Sequence, residues 1–492
     1  MKPVKALAFD LGASNGRAVL GTLDGGKITT EEIYRFPNDP VTVNGRFYWD
    51  ILRLFHEIKQ GLIRCRLKGH GDIGSVGIDA WGVSFGFLDK YGDLLANPPH
   101  YRDVASDETL EAVFAKIPKR ELFRITGLQP NRINSLFALA EMLARKPGLY
   151  EQAGNFLFVP DLLNYFLTGK KATEYTIAST SQLIDLTTKT WHPSLFDRLG
   201  LPERLFTKIT LPGAVLAELL PEVSGETGLG SIPVTCTASH DTAASFAAVP
   251  DGNGRNAIIS SGTWSAYGTV IEEPCVTEKS YEKGFTNEGC AGGDIRLLKN
   301  LTGLWILQEC KREWEGMGET AGYAELTAMA EASKPFGPVI DPDDEAFFAP
   351  GDMCGRIREY CANTGQRAPE TIGETARCII ESLAFKHGYI TETMEETLGY
   401  KFSHINIVGG GIHNGLLCRA TANAAKKDVV AGPAEAAVLG NIATQFVALG
   451  AIGSHAEAKG AIAKSVGIIK YPFETDSEWE RGYEKAKRIF DS

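Results

Sequence analysis

The N-terminal part of the chain alternates between apolar segments and glycine-bearing turns. VKALAFDLG predicts a buried strand, and RAVLGTL, the Asp24-Gly25-Gly26 turn and the alternating KITTEEIYRF predict a hairpin. Helical periodicity follows in WDILRLFHEIKQGLIRCRL, and IGSVGIDAWGVSFGFLD predicts a further strand. This mixture of strands and helices favours an α/β fold.

The same mixture continues to the C-terminus. Residues 106–150 predict mostly helix with Pro and Gly breaks, and PVTCTASHD predicts a strand that ends in polar residues. A long helix is predicted over 371–398, followed by the strand HINIVGGG. Further helices are predicted near 414–427 and from Pro433, because proline favours the first helical turn.

The octapeptide VPDGNGRN, residues 249–256, is dense in turn formers and predicts a junction between domains at 1–248 and 257–492. After it, NAIISSGTWSAYGTVIEE repeats the strand–turn–strand layout of ALAFDLGASNGRAVLGTL. One such hairpin at the start of each half predicts an internally duplicated architecture.

Composition narrows the possible functions. The chain has 492 residues, 43% of them hydrophobic and 23% charged, which predicts a globular protein with two large domains or more. Its net charge of -11 argues against nucleic-acid or anionic-membrane partners. No segment predicts a signal peptide or a membrane span. Nine cysteines without a C-x-x-C pair indicate reduced thiols and a cytoplasmic protein, and leave open whether Cys361 and Cys378 meet.

The sequence GASNG, residues 12–16, fits the G-x-S-x-G pattern of a serine hydrolase. A nucleophile elbow needs a helix after the serine, whereas RAVLGTL predicts a returning strand, so an esterase using Ser14 is a remote alternative. A phosphate-binding turn fits better, because Ser14 and Asn15 can donate hydrogen bonds and Arg17 adds charge. This motif alone favours a hairpin without a ligand.

The second hairpin strengthens the phosphate-binding interpretation of the first. SSGTWS, residues 260–265, offers hydroxyl groups and small residues at the equivalent turn. Two such turns, one in each half, suggest two sites that grip one polyphosphate.

The glycine run at 409–411 resembles a dinucleotide-binding fingerprint when Gly415 is included. An acid that binds ribose should end the next strand, but Asp428 begins DVVA, so NAD binding is disfavoured. A close approach to an adenosine group fits better, and a simple strand–helix turn stays open.

The tetrapeptide SHDT, residues 239–242, follows a predicted strand. Asp241 is a candidate general base for an attacking hydroxyl, and equally Asp241 or Thr242 could cap the following helix. A Ser-His-Asp triad is disfavoured, because neighbours in sequence rarely converge on one atom.

Other polar or aromatic residues have two interpretations each. Trp81 could stack on a sugar or fill core, and Asn300 could contact a sugar or cap the helix predicted in KNLTGLWILQECKREW. Asn287-Glu288 is a further sugar-side candidate, and the acidic run 341–345 favours a solvated loop over a cation site.

Read in order, these segments resemble the FGGY carbohydrate kinase family, and among its branches the rhamnulokinase group most. The segments that carry the resemblance span nearly the whole chain: DLGASNGR, GIDAWGVSFGFLD, YRD, SHDTA, SSGTWS, TNEG, LLKNLTGLW, INIVGGG and VVAGPAEAAVLGNIA. The resemblance implies two duplicated ribonuclease-H-like domains of the actin/hexokinase/Hsp70 type, with a cleft between them. It also implies transfer of the ATP γ-phosphoryl group to the C1 hydroxyl of a deoxyketose, most closely L-rhamnulose, in rhamnose catabolism.

The resemblance assigns roles by position. Asp241 would be the catalytic base, and Asp10 would hold Mg²⁺ through water. The sugar would contact Gly82, His240, Asp241, Thr242 and Asn300. ATP would contact Ala13, Ser14, Asn15, Gly16, Arg17, Gly262, Thr263, Gln308 and Gly410.

Three departures fall on the sugar side. Arg102-Asp103 is followed by Val104-Ala105 where a second arginine is common, and TNEG continues with Cys290 where glycine is common. The stretch GLQPNR, residues 127–132, also differs from the family's pattern. L-fuculose or another ketose therefore remains an alternative substrate. The expected partners are small molecules, and the choice between a monomer and a homodimer stays open.

Overall fold

The computed structural model describes residues 2–250, 255–474 and 476–491, and it confirms the α/β class. The chain divides into two compact units that do not follow chain order. The first unit comprises Met1–Pro250, Val270–Leu297 and Ala436–Ser465, and the second comprises Asp251–Thr269, Leu298–Glu435 and Val466–Ser492. Residues 251–254 of the expected junction 249–256 lie outside the described residues, and the domain limits 1–248 and 257–492 stay a prediction.

The first unit is built on a six-stranded mixed sheet. Its strands lie in the order Ala214–Glu218, Pro233–Cys236, Ser75–Ala80, Val4–Leu11, Asn15–Asp24, Lys27–Pro37. The last three strands form an antiparallel meander, and the strands Val4–Leu11, Ser75–Ala80 and Pro233–Cys236 run parallel. The remaining strands of this unit are short: Val41–Val43, Arg46–Tyr48, Phe85–Asp89, Ala153–Phe158, Thr173–Glu174, Ile184–Asp185, Thr190–Trp191, Ile209–Thr210 and Thr286–Gly289.

Helices cover the faces of this sheet. The predicted helix at 49–67 runs over Ile51–Leu67, where the Asp50 side chain caps its N-terminus and Leu54, Ile58 and Leu62 are buried. The other helices of this unit are Asp107–Lys116, Lys119–Thr126, Ser135–Arg145, Leu149–Gln152, Val159–Thr168, Tyr175–Ala178, Pro193–Leu199, Pro221–Thr227, Asp241–Ala247, Glu278–Glu282, Ala436–Ala448 and His455–Ala463, with 3₁₀ turns at Ser179–Ser181 and Glu203–Leu205.

The second unit has its own sheet. Its strands lie in the order Ile295–Leu301, Ser265–Ile271, Ala257–Ser261, Ile405–Val408, Val429–Ala431, Ile469–Tyr471. Its helices are Trp305–Gly316, Tyr323–Ala332, Met353–Asn363, Ile372–Leu398, Gly415–Ala425 and Ser477–Phe490, with 3₁₀ turns at Glu345–Phe347 and Gly410–His413.

The two hairpins share a layout. In each, two antiparallel strands meet at a tight turn, and the first strand also pairs in parallel with a later one. Each turn is closed by a backbone hydrogen bond from a glycine, Gly12 N to Asn15 O at 2.9 Å and Gly262 N to Trp264 O at 3.0 Å, although the second turn is one residue shorter. The repeat seen in the sequence is therefore a repeat of structure.

Three element predictions were wrong in detail. The strand predicted over 73–89 is two strands, because the backbone leaves the sheet at Trp81 and reaches a φ of 63° at Val83. Pro433 does not begin a helix, and the helix begins at Ala436. Asn300 lies in a strand, so it is not a helix cap.

Candidate active site

Three aspartates come together in the first unit. Asp10 and Asp79 are paired in register on neighbouring parallel strands, and Asp241 begins the helix Asp241–Ala247. Burial and the charge of Asp10 raise the pKa of Asp79 well above its usual value. Burial also raises the pKa of Asp241, where the charge of Asp10 adds to the effect and His240 opposes it. The three carboxylates thus lie close enough to influence one another.

Arg17 is the counter-ion of Asp10. The two residues are direct partners across the first hairpin, and Nε and Nη2 of Arg17 donate to Oδ2 of Asp10 at 2.9 and 2.8 Å. The family resemblance assigned separate roles to Asp10 and Arg17. The structure adds that the guanidinium next to the proposed phosphate turn is held by the aspartate.

The turn at residues 12–16 is stabilised by hydrogen bonds from within and from outside. Asn38 donates through its backbone to Ser14 O at 3.1 Å and through its side chain to Gly12 O at 2.8 Å. Ser14 and Asn15 are exposed. The strand Asn15–Asp24 follows directly, as the sequence predicts, so this turn lacks the helix of a nucleophile elbow.

Asp241 occupies the first position of its helix, and the capping position belongs to His240. Its Oδ1 accepts hydrogen bonds from the backbone and hydroxyl of Thr242 at 2.6 and 3.2 Å. The Asp241 side chain is 33% exposed, so a ligand can reach the carboxylate. Because His240 holds the capping position, the interpretation of Asp241 or Thr242 as the helix cap is excluded.

His240 is held by a buried ion pair. Nη2 of Arg296 lies 3.1 Å from His240 Nδ1 and donates to Glu288 Oε2 at 2.9 Å. His240 Nδ1 also lies 3.4 Å from Glu288 Oε2, and Nε2 lies 3.5 Å from Asp241 Oδ1. The imidazole therefore lies between the buried pair and the Asp241 carboxylate.

The same contacts set the charge of Glu288. Burial raises its pKa, but the hydrogen bond with His240 and the charge of Arg296 outweigh burial, so the pKa of Glu288 is lowered overall. Arg296 is fully buried. Glu288 and Arg296 therefore form a charged pair beneath His240.

Gly82 leaves room next to His240. A Cβ there would lie 3.3 Å from His240 Nε2 and 3.2 Å from Thr180 Cγ2. Trp81 is buried, and its ring centroid lies 3.9 Å from that of Trp49, so it fills core. Its Nε1 has no hydrogen-bond partner among the described residues.

The proposed nucleotide residues lie in the second unit. Thr263 and Gly410 are exposed, and Gly262 and Gln308 are half-buried. The backbone of Gly262 and Thr263 accepts from the N–H groups of Leu304 and Trp305 at 3.0 and 3.1 Å. Thus the turn rests on the start of the helix that carries Gln308.

The other second-unit candidates have different surroundings. Asn300 is exposed in its strand. The acidic run 341–345 is more than a solvated loop, since Lys386 Nζ donates to both carboxylate oxygens of Asp341 at 2.8 and 3.0 Å. Asp343 accepts from Thr302 N at 3.2 Å. Asp341 and Asp343 thus make contacts within the fold.

Sequence reasoning missed Arg296 and did not recognise Asp79 as a partner of Asp10. The available signal was an ionisable residue inside an apolar stretch: Asp79 in SVGIDAWG and Arg296 in IRLLKNL. Such residues are rarely buried without a specific partner. Which partner each one meets depended on the fold.

Metal-binding clusters, membrane-spanning helices and disulfides are absent from the part of the chain that the structure describes. Within 2–250, 255–474 and 476–491, no group of three or more His, Cys, Asp or Glu side chains has a metal-binding arrangement. No helix in these ranges is long and apolar enough to cross a membrane. All nine cysteines are free.

Comparison with known proteins gives consistent results. The family models for the N-terminal and C-terminal domains of the FGGY family of carbohydrate kinases match residues 5–247 and 257–449. Curated relatives named rhamnulokinase include those of Bacteroides thetaiotaomicron, 42% identical over 97% of both chains, and Halalkalibacterium halodurans, 38% identical over 95% of this chain and 98% of the relative.

Solved structures agree on the fold. The xylulose kinase from Rhodospirillum rubrum superposes with a TM-score of 0.81 at 16% identity, and covers 100% of this chain and 98% of that one. The two-domain fold of the actin/hexokinase type is thereby confirmed. With both family models and relatives above 30% identity over nearly its full length, the chain belongs to the FGGY family of carbohydrate kinases.

Proposed function

We propose that the protein transfers the γ-phosphoryl group of ATP to the C1 hydroxyl of L-rhamnulose, giving ADP and L-rhamnulose 1-phosphate. Family membership implies a sugar acceptor and ATP, and the relatives named rhamnulokinase support this acceptor. One observation carries the chemistry: Asp241 is a partly exposed carboxylate beside the imidazole of His240. L-fuculose remains the alternative acceptor.

Asp241 acts as the general base in this proposal. It orients the C1 hydroxyl and takes its proton as the oxygen attacks the γ-phosphorus. The bond between the γ-phosphorus and the β–γ bridging oxygen breaks, and ADP leaves. His240 contacts a sugar oxygen through Nε2, and Gly82, Thr242 and Asn300 complete the sugar contacts.

The phosphates of ATP bind the two hairpin turns in this proposal. Residues 13–17 of the first turn and Gly262 and Thr263 of the second provide N–H and hydroxyl donors. Gln308 and Gly410 contact the rest of the nucleotide. The exposure of Ser14, Asn15 and Thr263 supports these roles, because side chains that hold phosphate must be reachable.

Magnesium fits this set of donors. Mg²⁺ in phosphoryl-transfer sites is bound through one or two carboxylates, water and the substrate phosphates. Asp10, whose Oδ2 also accepts from Arg17, would hold it through water. When bound, Mg²⁺ neutralises charge on the β- and γ-phosphates.

The remaining expectations become part of this proposal. The nine free thiols support a cytoplasmic enzyme, because reduced cysteines are usual in that compartment. The sugar and ATP are the only partners that the proposal requires, and it accommodates a monomer or a homodimer. The domains 1–248 and 257–492 carry the sugar side and the nucleotide side, respectively.

The test is ADP release with L-rhamnulose, L-fuculose, L-xylulose and D-xylulose, after subtraction of ATP hydrolysis without sugar. We expect L-rhamnulose to give the highest kcat/KM. Asp241→Asn should reduce kcat about 10²-fold or more while ATP binding is retained. The exposed Asp197→Asn is the matched control and should match the wild type.

The pH profile provides a second readout. Because the pKa of Asp241 is raised and only the carboxylate can accept a proton, kcat should fall as the pH drops through that pKa. Equal turnover of Asp241→Asn and the wild type, or no activity with any ketose, would refute the proposal.

A further inference from the structure

Glu174 is a buried carboxylate that the proposed reaction does not use directly. It is 0% exposed and accepts four hydrogen bonds. Three come from its own segment: the backbone and hydroxyl of Thr176 at 2.7 and 2.6 Å, and the backbone of Ile177 at 2.9 Å. The fourth comes from Ser239 N at 3.2 Å, 65 residues further along the chain. Glu174 therefore connects two distant segments.

Thr176 makes the neighbouring connection. Its hydroxyl donates to Glu174 Oε2 and accepts from His240 N at 3.2 Å. The N–H of Ser239 thus donates to the Glu174 carboxylate, and the N–H of His240 donates to the Thr176 hydroxyl, which that carboxylate orients. On the other side, Ser239 O accepts from Ala80 N at 2.9 Å, so the turn is held from both sides.

The residues after Thr176 make similar contacts. Ser179 Oγ accepts from Gly289 N at 2.8 Å, and Thr180 Oγ1 accepts from Val83 N at 3.0 Å. Gly289 follows Glu288, and Val83 follows Gly82. The segment 174–180 therefore contacts three backbone stretches that carry sugar-side candidates of the first unit, those of Gly82, Asp241 and Glu288.

We infer that Glu174 and Thr176 are positioning residues that fix the backbone in front of Asp241, so that its carboxylate is aimed at the acceptor hydroxyl. This inference rests on the proposed function for the role of Asp241. Positioning matters because small displacements of a catalytic group reduce the rate strongly. A residue that only caps the helix Tyr175–Ala178 would have no such effect on turnover.

The charge of Glu174 is consistent with this role. Burial raises its pKa to about 7, and its hydrogen bonds with Thr176, Ile177 and Ser239 oppose that rise. The ionisable groups facing it are Asp161, whose Oδ1 accepts from Glu174 N at 3.1 Å, and Cys236. The ionised form can accept all four hydrogen bonds, whereas a protonated oxygen loses one acceptor site.

The test uses the full-length protein and a matched pair, Thr176→Val and Thr176→Ser. Valine keeps the shape and removes the hydroxyl, whereas serine keeps the hydroxyl. Thr168→Val is the control, because Thr168 is also buried but its hydroxyl makes only local contacts: it donates to Asn164 O at 2.7 Å and accepts from Lys170 N at 3.1 Å. Glu174→Gln removes the charge and part of the acceptor capacity.

Two measurements are made on each variant. Amide hydrogen exchange reports on the N–H groups of Ser239 and His240, independently of turnover. We expect Thr176→Val to speed exchange at His240, and Glu174→Gln to speed it at Ser239, by about tenfold or more. Steady-state kinetics should show a lower kcat by about tenfold or more for both variants, with the KM for ATP unchanged.

The outcomes separate the possibilities. Thr176→Ser and Thr168→Val should keep kcat and exchange within about twofold of the wild type. If Thr176→Val and Glu174→Gln leave exchange at 239 and 240 unchanged, or speed it without a loss of kcat in an active enzyme, the inference is wrong. If the wild type phosphorylates no ketose, the proposed function fails, while amide exchange still decides whether Glu174 and Thr176 hold the turn.

Discussion

Replacing Arg296 by Met should show how strongly the buried ion pair stabilises the first unit. Arg296 is fully buried and donates to Gly289 O at 2.9 Å and Glu288 Oε2 at 2.9 Å. Methionine fills much of the same volume but leaves Glu288 as a buried charge whose remaining partner is His240, with Nδ1 at 3.4 Å. Breaking such a pair from one side costs about 3–5 kcal/mol. We expect a loss of that size in the free energy of unfolding at pH 8.

The loss should depend on pH in a defined direction. In the wild type the pKa of Glu288 lies below its ordinary 4.5, so its contribution is present above that pH and is lost as the pH falls through the lowered pKa. In Arg296→Met, burial is no longer offset by the arginine, and the pKa should rise above 4.5. Stability of the variant should then fall as pH rises through that raised value. The cost should therefore be smaller at pH 5 than at pH 8.

The assay is urea unfolding followed by amide-exchange mass spectrometry on peptides of the first unit, at both pH values. The double variant Arg296→Met, Glu288→Met removes both charges and should cost less than Arg296→Met alone. A single-variant cost below about 1 kcal/mol, or the same cost at both pH values, would refute this reasoning.

Two further predictions concern the helix that carries Asp241 and the first turn. A Cβ on Gly440 would lie 1.8 Å from Ala244 O. Gly440→Ala should therefore reduce turnover and lower the free energy of unfolding in urea by about 1–3 kcal/mol or more. The control Gly460→Ala has open space around it and should raise the free energy of unfolding by about 0.4–1 kcal/mol. A stable, fully active Gly440→Ala would contradict this packing. Ser14→Ala should raise the KM for ATP about tenfold. Hydrolysis of p-nitrophenyl acetate should be at background in both the wild type and this variant. A wild-type esterase activity that Ser14→Ala abolishes would instead support the hydrolase hypothesis.

Local patterns were enough to predict the strand-and-turn layout of both hairpins. The strand after Ser14 and the Asp24-Gly25-Gly26 turn follow from alternation and turn chemistry, and both are present. The break at Val83 was not predictable in the same way. A β-branched residue at a φ of 63° is locally unfavourable, and the hydrogen bond from Val83 N to Thr180 is formed only in the folded chain.

The residues of the candidate site also fall into those that local sequence predicts and those that only the fold brings together. Asp241 was identified because it follows an apolar strand, whereas the role of Asp10 was implied by the family resemblance. Arg296 and Glu174 escaped notice because their roles depend on partners 56 and 65 residues away, at His240 and Ser239. The proposed roles of the site residues themselves remain predictions, which the variants above test.

The first unit is completed by a segment from near the end of the chain. The helix Ala436–Ala448 supplies Asn441, which donates to Asp79 Oδ2 at 2.6 Å, and Gln445, which donates to Leu7 O at 3.2 Å. A ribosome must therefore synthesise more than 400 residues before the N-terminal strand acquires its full set of neighbours. Until then, the strands that carry Asp10 and Asp79 lack the cover of this helix, so the newly made sheet keeps a surface exposed that is buried in the finished protein.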